Sequence, residues 1–242
     1  MGDMLVSMWS IMANFGFDTA DLANKIANII AKDENGDYTG VLAPVADIPL
    51  IGTVIGLCTG FAIPIAQRFG AQDIQNLKKY VANIIYTSIV VGVIFTCVAV
   101  LFARPLLEVL NTPIELRDEA YSYIVVIFAG IGATMLYNLL ASIVRALGDS
   151  KTPLYFLLFS SFLNIGLDLL LIIVFQMGVR GAAVATVISQ FISGVLCFIY
   201  VKRSFPILHI DKETAKPDFV FIKNLLRNGL PMALQFSITA LG

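Results

Sequence analysis

Five long apolar stretches dominate the chain, at 48–66, 81–103, 120–144, 152–175 and 181–201. Each has about the ~20 residues that a helix needs to cross roughly 30 Å of hydrocarbon. None alternates polar and apolar positions as the ~10-residue strands of a membrane barrel would. The pattern predicts an all-α, polytopic membrane helix bundle over 47–201. The two ends differ. Residues 1–46 hold a short apolar run at 4–17, then a stretch that sets Leu22, Ile26, Ile29 and Ile30 on one helical face. This atypical N-terminal segment reads as an amphipathic interfacial helix or a degenerate first span. Residues 202–228 are polar and basic and read as a loop. From Leu230 a new apolar run begins and stops at Gly242, with Pro231 where the first turn of a helix tolerates it. Residues 229–242 therefore read as the start of a further, truncated span.

Charge sharpens the picture. Of the 16 basic and 17 acidic residues, all but Asp168 lie outside the five spans. The loops 67–80, 145–151 and 202–228 hold 3, 2 and 6 basic residues, against 2 and 1 for 104–119 and 176–180. Positive charge marks the cytoplasmic side, so the first set faces inward and the alternation is unbroken. Mean hydropathy is +0.85 and charged residues make up 14%, far below the ~25% of soluble domains. The chain reads as a multi-pass integral membrane protein. A net charge of -1 points to no nucleic-acid partner. Cys58, Cys97 and Cys197 all fall inside spans and form no disulfide framework. Gly52, Gly56 and Gly60 recur at every fourth position of the first span, lining one face with bare backbone for close helix approach.

An acid inside an apolar span costs at least ~2.5–3.5 kcal/mol and is a functional candidate by default. Asn164 lies one helical turn from Asp168 on the same face. The turn around Gly178 is short, so the spans on either side are adjacent and antiparallel. Counting outward from Gly178 puts Thr186 near the depth of Asp168, and Gln190 near that of Asn164. An acid, an amide and a hydroxyl so gathered supply oxygen ligands for Na⁺, or a carboxyl that takes up H⁺; either neutralises the buried acid. A purely structural role, hydrogen bonding across helices, is the alternative. Other chemistry finds no support. "GDSKTP" lacks the leading glycine of a phosphate-binding loop, and His209 lies in the polar loop. No cluster suits a metal or a hydrolytic triad, so the chain does not read as an enzyme and calls for no cofactor beyond the ion.

"IGLCTGFAIPIAQRFGAQD", "RALGDSKTPLYF", "LNIGLDLLLIIVFQMGVRGAAVATVISQ" and "NGLPMALQFS", in that order and spacing, resemble the multidrug and toxic compound extrusion (MATE) family from about residue 50 onward. The resemblance implies an inner-membrane antiporter that exports drugs or organic cations in exchange for Na⁺ or H⁺ by alternating access between two six-helix lobes. By position the chain would supply helices two to six of the first lobe and the start of the seventh. Asn164, Asp168 and Thr186 match the family's coupling-ion site, and Asn138 matches a polar position lining its cavity. The family's first helix usually carries a further acid facing this site; Asp18 and Asp21 lie near the right distance but in surroundings too polar for that helix. A second transporter half is then an implied partner, beside small organic substrates and the bilayer. Two alternatives stay open: a flippase for lipid-linked polysaccharide precursors of the same superfamily, and a non-transporting, truncated membrane protein.

Overall fold

A computed structural model describes residues 49–109, 114–211 and 214–239. The reading of residues 1–46 lies outside the described residues. Among the described residues seven α-helices follow one another: α1 Pro49–Gly70, α2 Ile74–Val109, α3 Ile114–Ala129, α4 Ile131–Ala146, α5 Lys151–Leu169, α6 Gly178–Ser204 and α7 Phe219–Thr239. No strand occurs among the described residues. Among the described residues four helices are long and apolar enough to cross a membrane, and a fifth crossing is made if α3 and α4 form one bent span. The protein is a multi-pass helical membrane bundle.

Helix α1 makes its most extensive contact with α7, and the sequence shows why. A Cβ on Gly56 would meet Met232 O at 2.5 Å and Ala233 Cα at 2.7 Å, and one on Gly60 would meet Gly229 Cα at 2.6 Å. Small residues thus face small residues, and the two backbones touch.

Helix α7 corrects the expectation for the C-terminal region. It starts at Phe219, not at Leu230, and Pro231 lies inside it. Its first half escaped notice because Lys223 and Arg227 give it the composition of a loop. The buried positions Leu225, Gly229 and Ala233 nevertheless recur every fourth residue and hold one face against the bundle. Asp218 opens the helix by accepting the Val220 N–H at 2.9 Å. The Asp218 N–H in turn donates to Asn83 Oδ1 at 2.8 Å. Asn83, fully buried near the start of α2, is therefore the anchor for the entry to α7.

The third apolar stretch is not one straight helix. It breaks at Gly130 into α3 and α4, bent by 45°. A Cβ at Gly130 would collide with the Val187 side chain of α6, so only glycine lets α6 lie in the elbow. Helix α6 is the hub of this side of the bundle. Its buried positions are mostly small, among them Gly181, Ala183, Ala185, Ser189, Ser193 and Gly194, and α3, α4 and α5 all pack on it.

"GDSKTP" turns out to be a helix start. Asp149 Oδ1 accepts the N–H groups of Lys151 and Thr152 at 3.1 and 3.0 Å, satisfying donors at the N-terminus of α5. Its Oδ2 accepts from the Tyr200 hydroxyl of α6 at 2.9 Å. Hydrogen bonding from Thr152, with help from Tyr200 and Lys151, holds this carboxyl below the usual carboxylate range.

Two predictions follow from these contacts. Gly60→Leu should destabilise the bundle by about 1–3 kcal/mol or more through overpacking, whereas Gly166→Ala, where a Cβ meets nothing within 4 Å, should leave melting in detergent unchanged or slightly raised. Equal melting of the two variants would remove the α1–α7 seam as a determinant. Asp149→Ala should cost about 1 kcal/mol, the worth of a helix cap. Because folding lowers the Asp149 pKa, that contribution is present above the unfolded value of about 4 and fades as pH falls below it. The melting gap between wild type and variant should therefore close in acid, and a gap that persists there contradicts the assignment.

Candidate functional site

The polar residues singled out from the sequence lie where α4, α5 and α6 meet. Asn164 of α5 donates through Nδ2 to Thr186 Oγ1 of α6 at 3.3 Å. The Thr186 hydroxyl itself donates to Ala182 O at 3.0 Å, the usual recourse of a threonine inside an apolar helix. Ser189 Oγ donates to Thr186 O at 2.9 Å. Asp168 lies one turn beyond Asn164, half-buried, and its Oδ1 is shielded from solvent without a hydrogen-bond partner. Ser88 and Ser193 also bury a hydroxyl oxygen without a partner, but Asp168 is the one carboxylate in this position among the described residues. It is a free acceptor at a position where an acceptor without a partner is costly.

The depth count from the sequence needs one correction. It paired Thr186 with Asp168 and Gln190 with Asn164, yet Asn164 is the residue that reaches Thr186. The count treated residues 175–177 as rising along the helix, whereas they form the turn, with Gln176 at φ 50° and Gly178 at φ 58°. Residues Leu170–Val174 are moreover wound as a π-helix, which fits more residues into each turn and gains less height per residue. Both effects bring Asn164 level with Thr186. The π segment begins two residues after Asp168, and such segments concentrate at functional sites.

Gln190 and Asn138 belong to a neighbouring cluster. Thr134 Oγ1 of α4 donates to Gln190 Oε1 at 2.5 Å, and Asn138 Nδ2 donates to Thr134 O at 2.8 Å. Since Gln190 sits one turn from Thr186 on α6, the two clusters share one helix face. Thr134 was not singled out from the sequence, because a threonine within an apolar span is unremarkable until its partner is known. Tyr123 was missed for the same reason. This buried tyrosine of α3 lies within electrostatic reach of Asp168. The five residues expected from the sequence thus fall into two adjoining groups, Asn164 with Thr186 beside Asp168, and Asn138 with Gln190 about Thr134.

The donor set is one carboxylate, two hydroxyls, amide oxygens and backbone carbonyls. Among the described residues no group of three or more His, Cys, Asp or Glu converges as a transition-metal site would require. Oxygen-only ligation suits a hard cation or a proton.

Comparison with known proteins agrees with this architecture. The sequence model of the MatE family matches residues 40–170. The chain is 29% identical over 199 residues to the probable multidrug resistance protein YoeA of Bacillus subtilis, covering 79% of this chain and 43% of that one. It is 30% identical over 199 residues to the probable multidrug resistance protein NorM of Thermotoga maritima, covering 78% and 41%. Among solved structures, the inward-facing conformation of a multidrug resistance MATE family transporter of the MOP superfamily superposes with a TM-score of 0.73 at 28% identity, covering 83% of this chain and 46% of the other. The chain spans less than half the length of the relatives it matches.

The shared α6 face generates a prediction. Thr186→Val removes the acceptor of the Asn164 amide and should cost about 1–3 kcal/mol, the penalty for stranding a buried polar group. Thr186→Ser keeps the hydroxyl and should melt close to wild type. Similar losses for both variants would show that the methyl packing, not the hydrogen bond, matters.

Proposed function

This chain belongs to the MatE family, and from that premise we propose that it forms one lobe of a cation-coupled antiporter exporting drugs or organic cations, with Asp168 as the coupling acid. The observation that carries the proposal is the pairing of a buried, unpartnered Asp168 Oδ1 with the Asn164–Thr186 hydrogen bond one turn away. A carboxylate in hydrocarbon must be neutralised, and binding Na⁺ or H⁺ does so reversibly. When the ion leaves, the exposed charge raises the energy of that state, so ion binding and conformational state are linked.

Asn164 and Thr186 would complete the oxygen shell of a sodium ion or orient the protonated carboxyl. Tyr123, close enough to sense the charge of Asp168, would respond to its neutralisation. Asn138, Thr134 and Gln190 would line the adjoining surface that an organic substrate contacts. In this scheme substrate and ion compete for the same lobe, which is the essence of exchange. The similarity to multidrug resistance proteins supports a broad organic cargo. The absence of Lys and Arg from the five apolar stretches speaks against a pyrophosphate-linked cargo of the flippase type. Coverage of just under half of each relative supports a transporter completed by a second lobe.

The test is efflux from vesicles in which this chain is combined with a second lobe, driven by separately imposed proton and sodium gradients. Asp168→Asn should reduce gradient-driven efflux of an organic cation to background while leaving membrane insertion intact. Asn164→Ala should weaken it by at least tenfold at limiting ion concentration and less at saturating ion. Wild-type efflux by Asp168→Asn contradicts the coupling role.

A further inference from the structure

A second concave site lies away from Asp168. Helices α2 and α4, with the C-terminal end of α6 and the chain that follows it, enclose a groove of about 810 Å³, within the ~300–1,000 Å³ range of ligand sites. Its walls are apolar, formed by Val81, Ile85 and Ile89 of α2, Met135 and Leu139 of α4, and Phe198 of α6. The hollow exists because Gly92, Ala129 and Gly132 contribute almost no side chain where the walls curve. Beside it, Val90, Val93, Ile94 and Val98 of α2 are exposed, so this helix presents an apolar face to the membrane.

One end of the groove is different. Lys202 and His209 line it there, both exposed, at the terminus of the apolar span Gly178–Ser204. Arg203 adjoins them. The nearby acid, Asp211, is paired with Lys78 Nζ at 2.8 Å and also lies within electrostatic reach of His209, so Lys202 and Arg203 carry the net positive charge of the rim. Lys202 makes no ion pair among the described residues. Ser88, about 10 Å along α2 from Val81 at ~1.5 Å per residue, lines the groove with a buried Oγ that has no hydrogen-bond partner.

We propose that this groove binds an anionic phospholipid, with an acyl chain along the α2–α4 wall and its phosphate at Lys202 and His209. The chemistry runs in register along the site. Apolar walls take the chain, the free Ser88 hydroxyl offers a donor part-way along them, and a basic rim meets the phosphate at the membrane boundary, where basic side chains attract anionic lipid. A zwitterionic lipid fills the same walls but gains less at the rim. The site is independent of the Asp168 cluster, so its failure would leave the transport proposal untouched.

Native mass spectrometry of the full chain, released from detergent with equal phosphatidylglycerol and phosphatidylcholine, tests this directly. The wild type should retain one phosphatidylglycerol roughly fivefold or more in preference to phosphatidylcholine, the selectivity expected of one basic residue at the headgroup level. Lys202→Gln, an exposed position, should bring the two lipids toward equal retention. Gly132→Phe should abolish retention of both. A Cβ at Gly132 meets nothing within 4 Å, so the ring can enter the groove without displacing the bundle. Undiminished lipid on Gly132→Phe, equal retention of the two lipids by the wild type, or a second copy of the chain as the sole adduct would each overturn the proposal.

Discussion

Contact between bare backbones holds this bundle together. Two helices in hydrocarbon gain little by hiding apolar side chains from one another, because lipid tails are equally apolar; close packing and polar pairing must do the work instead. At Gly56, Gly60 and Gly229, α1 and α7 approach until no Cβ fits between them. Gly130 does the same for α6 in the elbow between α3 and α4. The other helices pack on the helices that meet at these seams, since α6 carries α3, α4 and α5, and α1 carries α2, α4 and α7.

The same solvent explains why the polar side chains are so few and so closely accounted for. Asn83 secures the entry to α7, Asp149 secures the start of α5 and ties it to α6, and Thr134 joins Gln190. Asn164 and Thr186 bridge α5 and α6. Against that background Asp168 is the one carboxylate among the described residues with an oxygen buried and unpartnered, where Ser88 and Ser193 leave only neutral hydroxyls so. That open acceptor is what the proposed coupling role requires, because an acid that takes up and releases a cation keeps no permanent partner, and the π-wound turn beside it marks where the regular helix gives way.

Much of this was legible in the sequence, and the failures share a cause. Apolar length alone revealed the membrane-crossing helices, and the isolation of Asp168 drew attention to its helix. The spacing of Asn164 and Asp168, with a short turn to the next span, brought Thr186 into the same neighbourhood. What hydropathy could not show was local backbone geometry: the elbow at Gly130, the π winding after Leu169 and the level of Thr186 all depend on how turns close. The early start of α7 was hidden because Lys223 and Arg227 face away from a buried Leu225–Gly229–Ala233 stripe. Thr134 and Tyr123 are single polar residues in apolar spans, and only the fold reveals what each faces.

The central claim is that the charge state of Asp168 changes with the coupling ion. Infrared difference spectroscopy on the chain in lipid nanodiscs, with pH and sodium varied in turn, measures this on the carboxyl group itself. A carboxyl band that converts to carboxylate as protons are withdrawn or sodium is added, and that is absent from Asp168→Asn, is the predicted result. A spectrum unaffected by both ions, or an ion-dependent band that survives in Asp168→Asn, would contradict it.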